Sequence, residues 1–177
     1  LFRVPGYSCT QAIGKTPYEW FDSPKSLDQE EFSIRGIANV LDQARNKGDL
    51  GSYNCLVTHR VEECKDQVMS LLKNHNVSMD EVHFLGRNGE KAQIVANVLD
   101  KFREVNRIII YEDTIWEIMK YVKWFSETGI ALRVEVSFVF VDKSKVFTFD
   151  WKTASQLAKT AITAQRLIVE TEHDTFH

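Results

Sequence analysis

Two adjacent carboxylates, Glu112 and Asp113, follow the apolar run Ile108-Ile109-Ile110-Tyr111 and precede Thr114, which opens an amphipathic segment. A strand that ends in acids delivers them beyond the C-terminal ends of the sheet, where open α/β sheets bind ligands. Paired carboxylate oxygens are ligands that suit Mg²⁺. The sequence therefore predicts a Mg²⁺ site at Glu112 and Asp113. The same acids would also stabilise the N-terminus of the following helix, and that alternative stays open at this point.

Polar side chains also follow two earlier apolar runs. Thr58 and Arg60 come directly after the run that ends at Val57, and Lys91 lies in the first turn of a later helix. Thr58 also suits a helix N-cap, whereas a lysine in a first turn opposes the helix dipole, which favours a functional reason. A hydroxyl and an ammonium bind phosphoryl oxygens, and acids bind the accompanying cation. We expect Thr58, Lys91 and Asp113 to converge within a few ångströms.

The elements that must position these residues alternate between strand and helix. This alternation indicates βαβ units and a mostly parallel sheet covered on both faces, with a late antiparallel hairpin. Asp142-Lys143-Ser144-Lys145 predicts the hairpin turn, and Asp150 predicts the cap of a C-terminal helix. The predicted strands are 52–57, 81–85, 107–111, 131–141 and 146–149, and the predicted helices are 29–46, 61–72, 90–105, 114–128 and a last one from 151 onward. We expect the helix over 90–105 to bury Ile94, Val95, Val98 and Phe102, and we expect Gly129 to end the helix over 114–128.

Composition excludes several classes of protein. The chain has 177 residues, 44% of them hydrophobic, and a net charge of −3, so it is neither disordered nor generally attracted to polyanions. Three cysteines without metal-ligand spacing predict free thiols, and His59 and His83 lack a second His or Cys at ligand spacing. No apolar run reaches the roughly 20 residues that span a bilayer, so we expect no membrane segment and a cytoplasmic protein.

The order of these signals resembles motifs II, III and IV of the haloacid dehalogenase superfamily of phosphohydrolases. The matching segments are Cys55-Leu56-Val57-Thr58-His59-Arg60, Lys91 before a helix, and Ile109-Ile110-Tyr111-Glu112-Asp113. More narrowly, Thr-x-Arg and Tyr-Glu-Asp resemble the phosphatase-like domain of Swiss Army Knife RNA repair proteins. The resemblance implies a Rossmann-like three-layer α/β/α sandwich over residues 1–141, of the type without a large cap domain, followed by a hairpin and helix extension over 142–177.

The same resemblance assigns roles to residues. Thr58 would hydrogen-bond the transferred phosphoryl group, Lys91 would neutralise its charge, and Asp113 with Glu112 would hold Mg²⁺. Arg60 and Arg87 would line an open site for a phosphorylated substrate, such as a nucleic-acid end. The implied activity is phosphomonoester hydrolysis through an aspartyl-phosphate intermediate.

One motif of the family is not found. Motif I, a strand that ends in Asp-x-Asp and supplies the nucleophile, occurs nowhere in the sequence. Because Leu1-Phe2 resembles the residues that commonly follow that motif, we expect its strand to precede Leu1 and to lie between the strands that end at Val57 and Tyr111. The alternative is a catalytically degenerate domain that binds or assembles, with residues 142–177 as a contact for a homo-oligomer.

Overall fold

The computed structural model describes residues 22–24, 53–142 and 145–161. The helix predicted over 29–46 and nearly all of the segment 1–28 lie outside these ranges. The chain divides into two compact units, Leu1–Ile94 and Val95–His177. The two units are described one after the other.

The first unit contains a two-stranded parallel sheet. Strand β1 spans Cys55–Thr58 and strand β2 spans Glu81–Phe84, with Cys55 opposite Glu81 and Thr58 opposite Phe84. A 3₁₀ turn at Glu62–Cys64 and helix α1, Lys65–Asn74, connect them. Parallel strands need such a crossover because a tight hairpin can join only antiparallel neighbours. The predicted order strand, helix, strand is confirmed for this unit.

The core of the first unit lies between α1 and one face of this sheet. Because side chains alternate along a strand, Cys55, Glu81 and His83 lie on the opposite face from Leu56, Val82 and Phe84, the strand residues that pack against the core. The core is aliphatic and sulfur-containing, and its buried members are Cys64, Val68, Leu72 and Val77, with Leu56, Val61, Met79, Val82 and Phe84 partly buried against them.

Helix α2 spans Lys91–Lys101, and the boundary between the two units falls inside it. The prediction of its buried face was wrong. The buried side chains are Ala92, Ala96 and Leu99, whereas the larger side chains expected in the core are only partly buried. Positions 92, 96 and 99 share one helical stripe, and small alanines allow close approach, so side-chain bulk alone did not identify the face. The expected set was Ile94, Val95, Val98 and Phe102.

The second unit contains a mixed sheet in the order β3-β4-β5. Its strands are Arg107–Glu112, Glu135–Asp142 and Lys145–Asp150; β3 is parallel to β4, and β5 is antiparallel to β4. The late antiparallel hairpin is therefore confirmed.

Helix α3, Ile115–Thr128, connects β3 to β4 and ends as predicted at Gly129, whose φ of 71° favours glycine. A one-turn helix α4, Ile130–Arg133, then precedes β4. The predicted start of the last long strand at Ala131 was wrong for this reason. Its apolar residues continued the alternation of the strand, and a single helical turn is too short to show a period of its own.

Aromatic rings form the core of the second unit. Phe125 of α3 and Phe138 of β4 are fully buried, and Trp151 stacks against both at ring-centroid distances of 6.4 and 6.5 Å. Trp151 opens a helix, α5, which is described over 151–161. The Asp150 carboxylate accepts a 2.7 Å hydrogen bond from the Thr153 N–H, so the predicted N-cap is confirmed.

The fold class is thus mixed α/β, with one small parallel sheet and one small mixed sheet. The three-layer sandwich stays a prediction. Among the residues searched, no helix has the length and apolar character needed to cross a membrane.

Candidate functional site

Backbone hydrogen bonds tie together the loops that follow β1 and β2. The Leu85 N–H donates to the Thr58 carbonyl at 2.9 Å, and the Gly86 N–H donates to the Arg60 carbonyl at 3.2 Å. The Thr58 hydroxyl oxygen accepts the Arg60 N–H at 3.2 Å. Helical structure begins only at Glu62, with Val61 at the N-cap position, so Thr58 is not a helix cap. Its side chain instead shapes the turn at the C-terminal end of β1.

The two predicted substrate-binding arginines lie in these loops. Arg87 donates from Nε and Nη2 to Asp22 Oδ2 at 2.9 and 2.7 Å. Burial lowers the pKa of the Arg60 guanidinium, while its contact with Cys64 and the charge of Asp22 act in the opposite direction. The Arg87–Asp22 ion pair joins residues 65 positions apart, and no local pattern in the sequence signals it. Arg87 is therefore engaged by an acid of the chain itself.

Lys91 is the first residue of α2 and is partly buried. The first turn of this helix contains no acidic residue. Thr58, Arg60, Arg87 and Lys91 all belong to the first unit. Thr58, Arg60 and Arg87 follow the C-terminal ends of its parallel strands, the rim at which such sheets bind ligands.

The predicted metal ligands lie at the C-terminal end of β3. Glu112 is the last residue of the strand and is 7% exposed, which makes it the only buried charged residue in the described part of the chain. It shares the buried face of β3 with Ile110, whereas Asp113 is exposed and accepts the Thr114 hydroxyl at 3.3 Å. Glu112 belongs to the strand ladder, opposite Phe140, so it does not serve as an acid of the first helical turn. Glu117 is the acid of that turn.

The first unit supplies Thr58 and Lys91, and the second supplies Glu112 and Asp113. The convergence of these four residues stays a prediction.

A second group of ligand-type side chains was missed by the sequence analysis. One ligand atom each of Cys55, Glu81 and His83 lies within 4.8 Å of the other two. The spacing of these three residues along the sequence does not indicate a metal site, because the cluster forms across two strands that are separated by a crossover helix. Two residues at positions i and i+2 of one strand, beside a cysteine of a parallel neighbour, are the pattern that would have identified it.

Comparisons of the chain with protein-family models, with curated proteins and with solved structures give no match. The resemblance to three motifs of the haloacid dehalogenase superfamily accordingly stays a prediction. Function has to be inferred from the residues themselves.

Proposed function

We propose that this chain contributes a Mg²⁺-dependent phosphate site to a phosphohydrolase of the haloacid dehalogenase type, acting on a phosphate carried by a macromolecule. The observation that carries the proposal is the position of Glu112. This buried carboxylate lies at the C-terminal tip of a parallel strand, the edge at which open α/β sheets bind ligands, and it is followed directly by a second, exposed acid.

Glu112 and Asp113 fit a magnesium ion in their donor chemistry. Both offer carboxylate oxygens, and Mg²⁺ is commonly bound by one or two carboxylates together with water and substrate phosphate. The strand ladder fixes the backbone of Glu112, while Asp113 stands in the connection to α3. When bound, Mg²⁺ would offset negative charge on the phosphoryl oxygens.

Thr58 and Lys91 would bind the phosphoryl oxygens. The Thr58 oxygen accepts the Arg60 N–H, which leaves its own hydroxyl hydrogen to donate. Lys91 offers three N–H donors at the start of α2, where the helix dipole also favours an anion. These contacts orient a phosphate and stabilise its charge without forming a covalent bond.

Turnover needs a nucleophile in addition. An aspartate could form a covalent phosphoryl intermediate, but no strand of this sequence ends in Asp-x-Asp. Asp22 is held by Arg87 in an ion pair and does not replace that nucleophile. The proposal therefore separates phosphate binding, which these residues would perform, from the attack on phosphorus.

Thermal unfolding of the chain with Mg²⁺ and inorganic phosphate tests the binding step. A ligand at one hundred times its Kd stabilises a folded protein by about 2.7 kcal/mol. We expect Glu112→Gln and Asp113→Asn to remove this stabilisation, while Glu127→Gln, an exposed acid of α3, keeps it. Equal stabilisation in Asp113→Asn and the unaltered protein would refute the metal site.

Hydrolysis of an aryl phosphate by the full-length protein tests the turnover step. We expect Mg²⁺-dependent release of phosphate that Asp113→Lys abolishes, because the added ammonium would occupy the cation position. Undiminished Mg²⁺-dependent hydrolysis by Asp113→Lys would show that the reaction does not depend on this acid.

Exposed apolar residues of β5 favour a second candidate, a binding or assembly module. Val146 and Phe147 are exposed on β5, and Leu157 is exposed on α5. A second copy of the chain that covered them would hide apolar surface from water. Sedimentation of the unaltered protein should then show a dimer that Phe147→Ser dissociates and that Thr148→Ser, next to it, leaves intact. A monomer at all concentrations would remove this candidate.

A further inference from the structure

The face of the β1–β2 sheet opposite α1 carries three side chains with different ligand atoms. Cys55 contributes a sulfur from β1, and Glu81 and His83 contribute oxygen and nitrogen from the neighbouring strand. Cys55 is paired with Glu81 in the parallel register, so the three residues occupy adjacent positions on one face. Their ligand atoms all lie within 4.8 Å of one another. All three side chains are partly exposed and therefore within reach of an ion from solvent.

Hydrogen bonds hold the carboxylate of this cluster in place. The Tyr53 hydroxyl donates to Glu81 Oε1 at 2.5 Å, and Glu81 Oε2 lies 2.9 Å from His83 Nε2. Hydrogen-bond partners of metal-binding side chains fix the orientation of those side chains and raise the affinity of the site for the metal. The cluster is therefore organised by its surroundings as well as by the strand pairing.

We propose that Cys55, Glu81 and His83 bind a Zn²⁺ ion on this face of the sheet. Thiolate, imidazole and carboxylate are the three side-chain groups that bind zinc in proteins. The set is too soft for Mg²⁺, which prefers oxygen ligands in octahedral geometry. Three protein ligands leave a fourth position for water or another small ligand.

Negative charge beside the cluster favours a cation. The carboxylates of Glu81 and Asp80 act electrostatically on Cys55, and their charge attracts a divalent ion to this face of the sheet.

Binding requires a small local adjustment. Bonds of about 2.0–2.3 Å in a tetrahedral site separate ligand atoms by roughly 3.3–3.8 Å. The His83–Glu81 contact of 2.9 Å is shorter than this, and the upper limit of 4.8 Å for the cluster is longer. Rotation of one or two side chains therefore completes the site, and the backbone of the two paired strands does not need to move.

Titration of the chain with Co²⁺, followed by Zn²⁺, tests the proposal. We expect an ultraviolet charge-transfer absorption from a Co²⁺–thiolate bond, which Zn²⁺ then removes and excess Mg²⁺ does not. Cys55→Ser should abolish this absorption, and His83→Gln and Glu81→Gln should each weaken Zn²⁺ binding at least about tenfold, the effect of losing even a supporting partner. Unaltered protein without the charge-transfer absorption would overturn the proposal.

Matched variants and a chemical probe complete the experiment. Cys64→Ala removes the buried core thiol and His75→Gln removes a histidine outside the cluster, and both should bind Zn²⁺ as the unaltered protein does. Alkylation of the unaltered protein tests the site without depending on the folding of any variant. Zn²⁺ should protect Cys55 from modification by iodoacetamide, and peptide mass spectrometry measures the extent of modification. Fast alkylation of Cys55 that Zn²⁺ does not slow would identify a reactive thiol and overturn the metal site.

Discussion

The two units of this chain place polar chemistry in contrasting settings. In the first, an aliphatic core lies on one side of the β1–β2 sheet, and half-exposed polar groups on the other side and in the loops are linked by hydrogen bonds. In the second, aromatic rings fill the core, and a single charged group, Glu112, is buried within the described residues. The Cys55, Glu81 and His83 cluster of the first unit thus offers sulfur, nitrogen and oxygen ligands, whereas Glu112 and Asp113 of the second unit offer oxygen alone.

From this difference we expect the two units to prefer different cations. A mixed ligand set at half exposure suits Zn²⁺, whereas adjacent carboxylates at a strand tip suit Mg²⁺. Measurement of Zn²⁺ and Mg²⁺ binding by variants of each site therefore tests whether the two units differ in this way. Glu112→Gln should leave Zn²⁺ binding unchanged, and Cys55→Ser should leave Mg²⁺ binding unchanged.

Removal of a core ring should produce the largest effect on stability. Phe138 is fully buried between Tyr121 and Trp151, and replacement of such a phenylalanine by alanine costs about 3–5 kcal/mol. Leu72→Ala in the aliphatic core of the first unit should cost less, in the lower part of the range of about 2–5 kcal/mol, because Leu72 is 9% exposed whereas Phe138 is fully buried. Urea unfolding followed by circular dichroism measures both. A smaller loss for Phe138→Ala than for Leu72→Ala would contradict the account of an aromatic core in the second unit.

The two glycines that have a positive φ within the described ranges, one in each unit, should respond alike to substitution. Gly86 has φ 61° and Gly129 has φ 71°, and an added Cβ would meet no atom within 4 Å at either position. The cost of alanine is then backbone strain alone, about 1–2 kcal/mol at each position. Thermal unfolding of Gly86→Ala and Gly129→Ala measures it. A difference between the two variants larger than about 1 kcal/mol would show that one loop relaxes and the other does not.

The Arg87–Asp22 ion pair should contribute little to stability. Arg87 is 53% exposed, and a pair of this kind is worth less than about 1 kcal/mol. A double-mutant cycle with Arg87→Met and Asp22→Asn measures the coupling. If Arg87 binds substrate phosphate, Asp22→Asn should also tighten phosphate binding, since the guanidinium loses its competing carboxylate. Unchanged phosphate affinity in Asp22→Asn would remove Arg87 from the proposed site.

The cap at Asp150 should produce the smallest effect, and one that depends on pH. Hydrogen bonds from the Thr153 hydroxyl and N–H lower the pKa of this exposed carboxyl below its ordinary value. A lowered folded-state pKa means that the contribution to stability is present at neutral pH and is lost as the pH falls through that pKa.

Thermal unfolding from neutral to acidic pH measures the cap. Asp150→Ala should lower the melting temperature by a few degrees at most at neutral pH, and this deficit should shrink in acid. Asp150→Asn keeps an acceptor for the N–H but does not titrate, so it isolates the charge. A deficit for Asp150→Ala that stays constant with pH would contradict the role of the ionised cap.

Local patterns in the sequence predicted most of the elements. The apolar run before Glu112, the stop at Gly129 and the cap at Asp150 each depend on neighbouring residues, and each was found as predicted. Two predictions were wrong, the start of β4 and the buried face of α2. A single helical turn is too short to show a helical period, and small alanines do not mark the buried face of a helix as large apolar side chains do.

Contacts between distant parts of the chain could not be predicted in the same way. The pairing of Cys55 with Glu81 depends on strand register, which tertiary packing sets, and the Arg87–Asp22 pair depends on a fold that brings two loops together. The residues of the candidate phosphate site could be proposed from the sequence because each one ends or follows a predicted strand or opens a predicted helix. The distances between these residues could not be predicted, because no single segment of the chain determines them.

Paramagnetic broadening by Mn²⁺ in place of Mg²⁺ tests the central prediction, the convergence of the four phosphate-site residues, most directly. Mn²⁺ bound by Glu112 and Asp113 broadens the NMR signals of nearby backbone amides, and Asp113→Asn provides the control without the ion. The account predicts that the amides of Thr58 and Lys91 broaden together with that of Thr114. Broadening confined to the residues around Glu112 and Asp113 would contradict it.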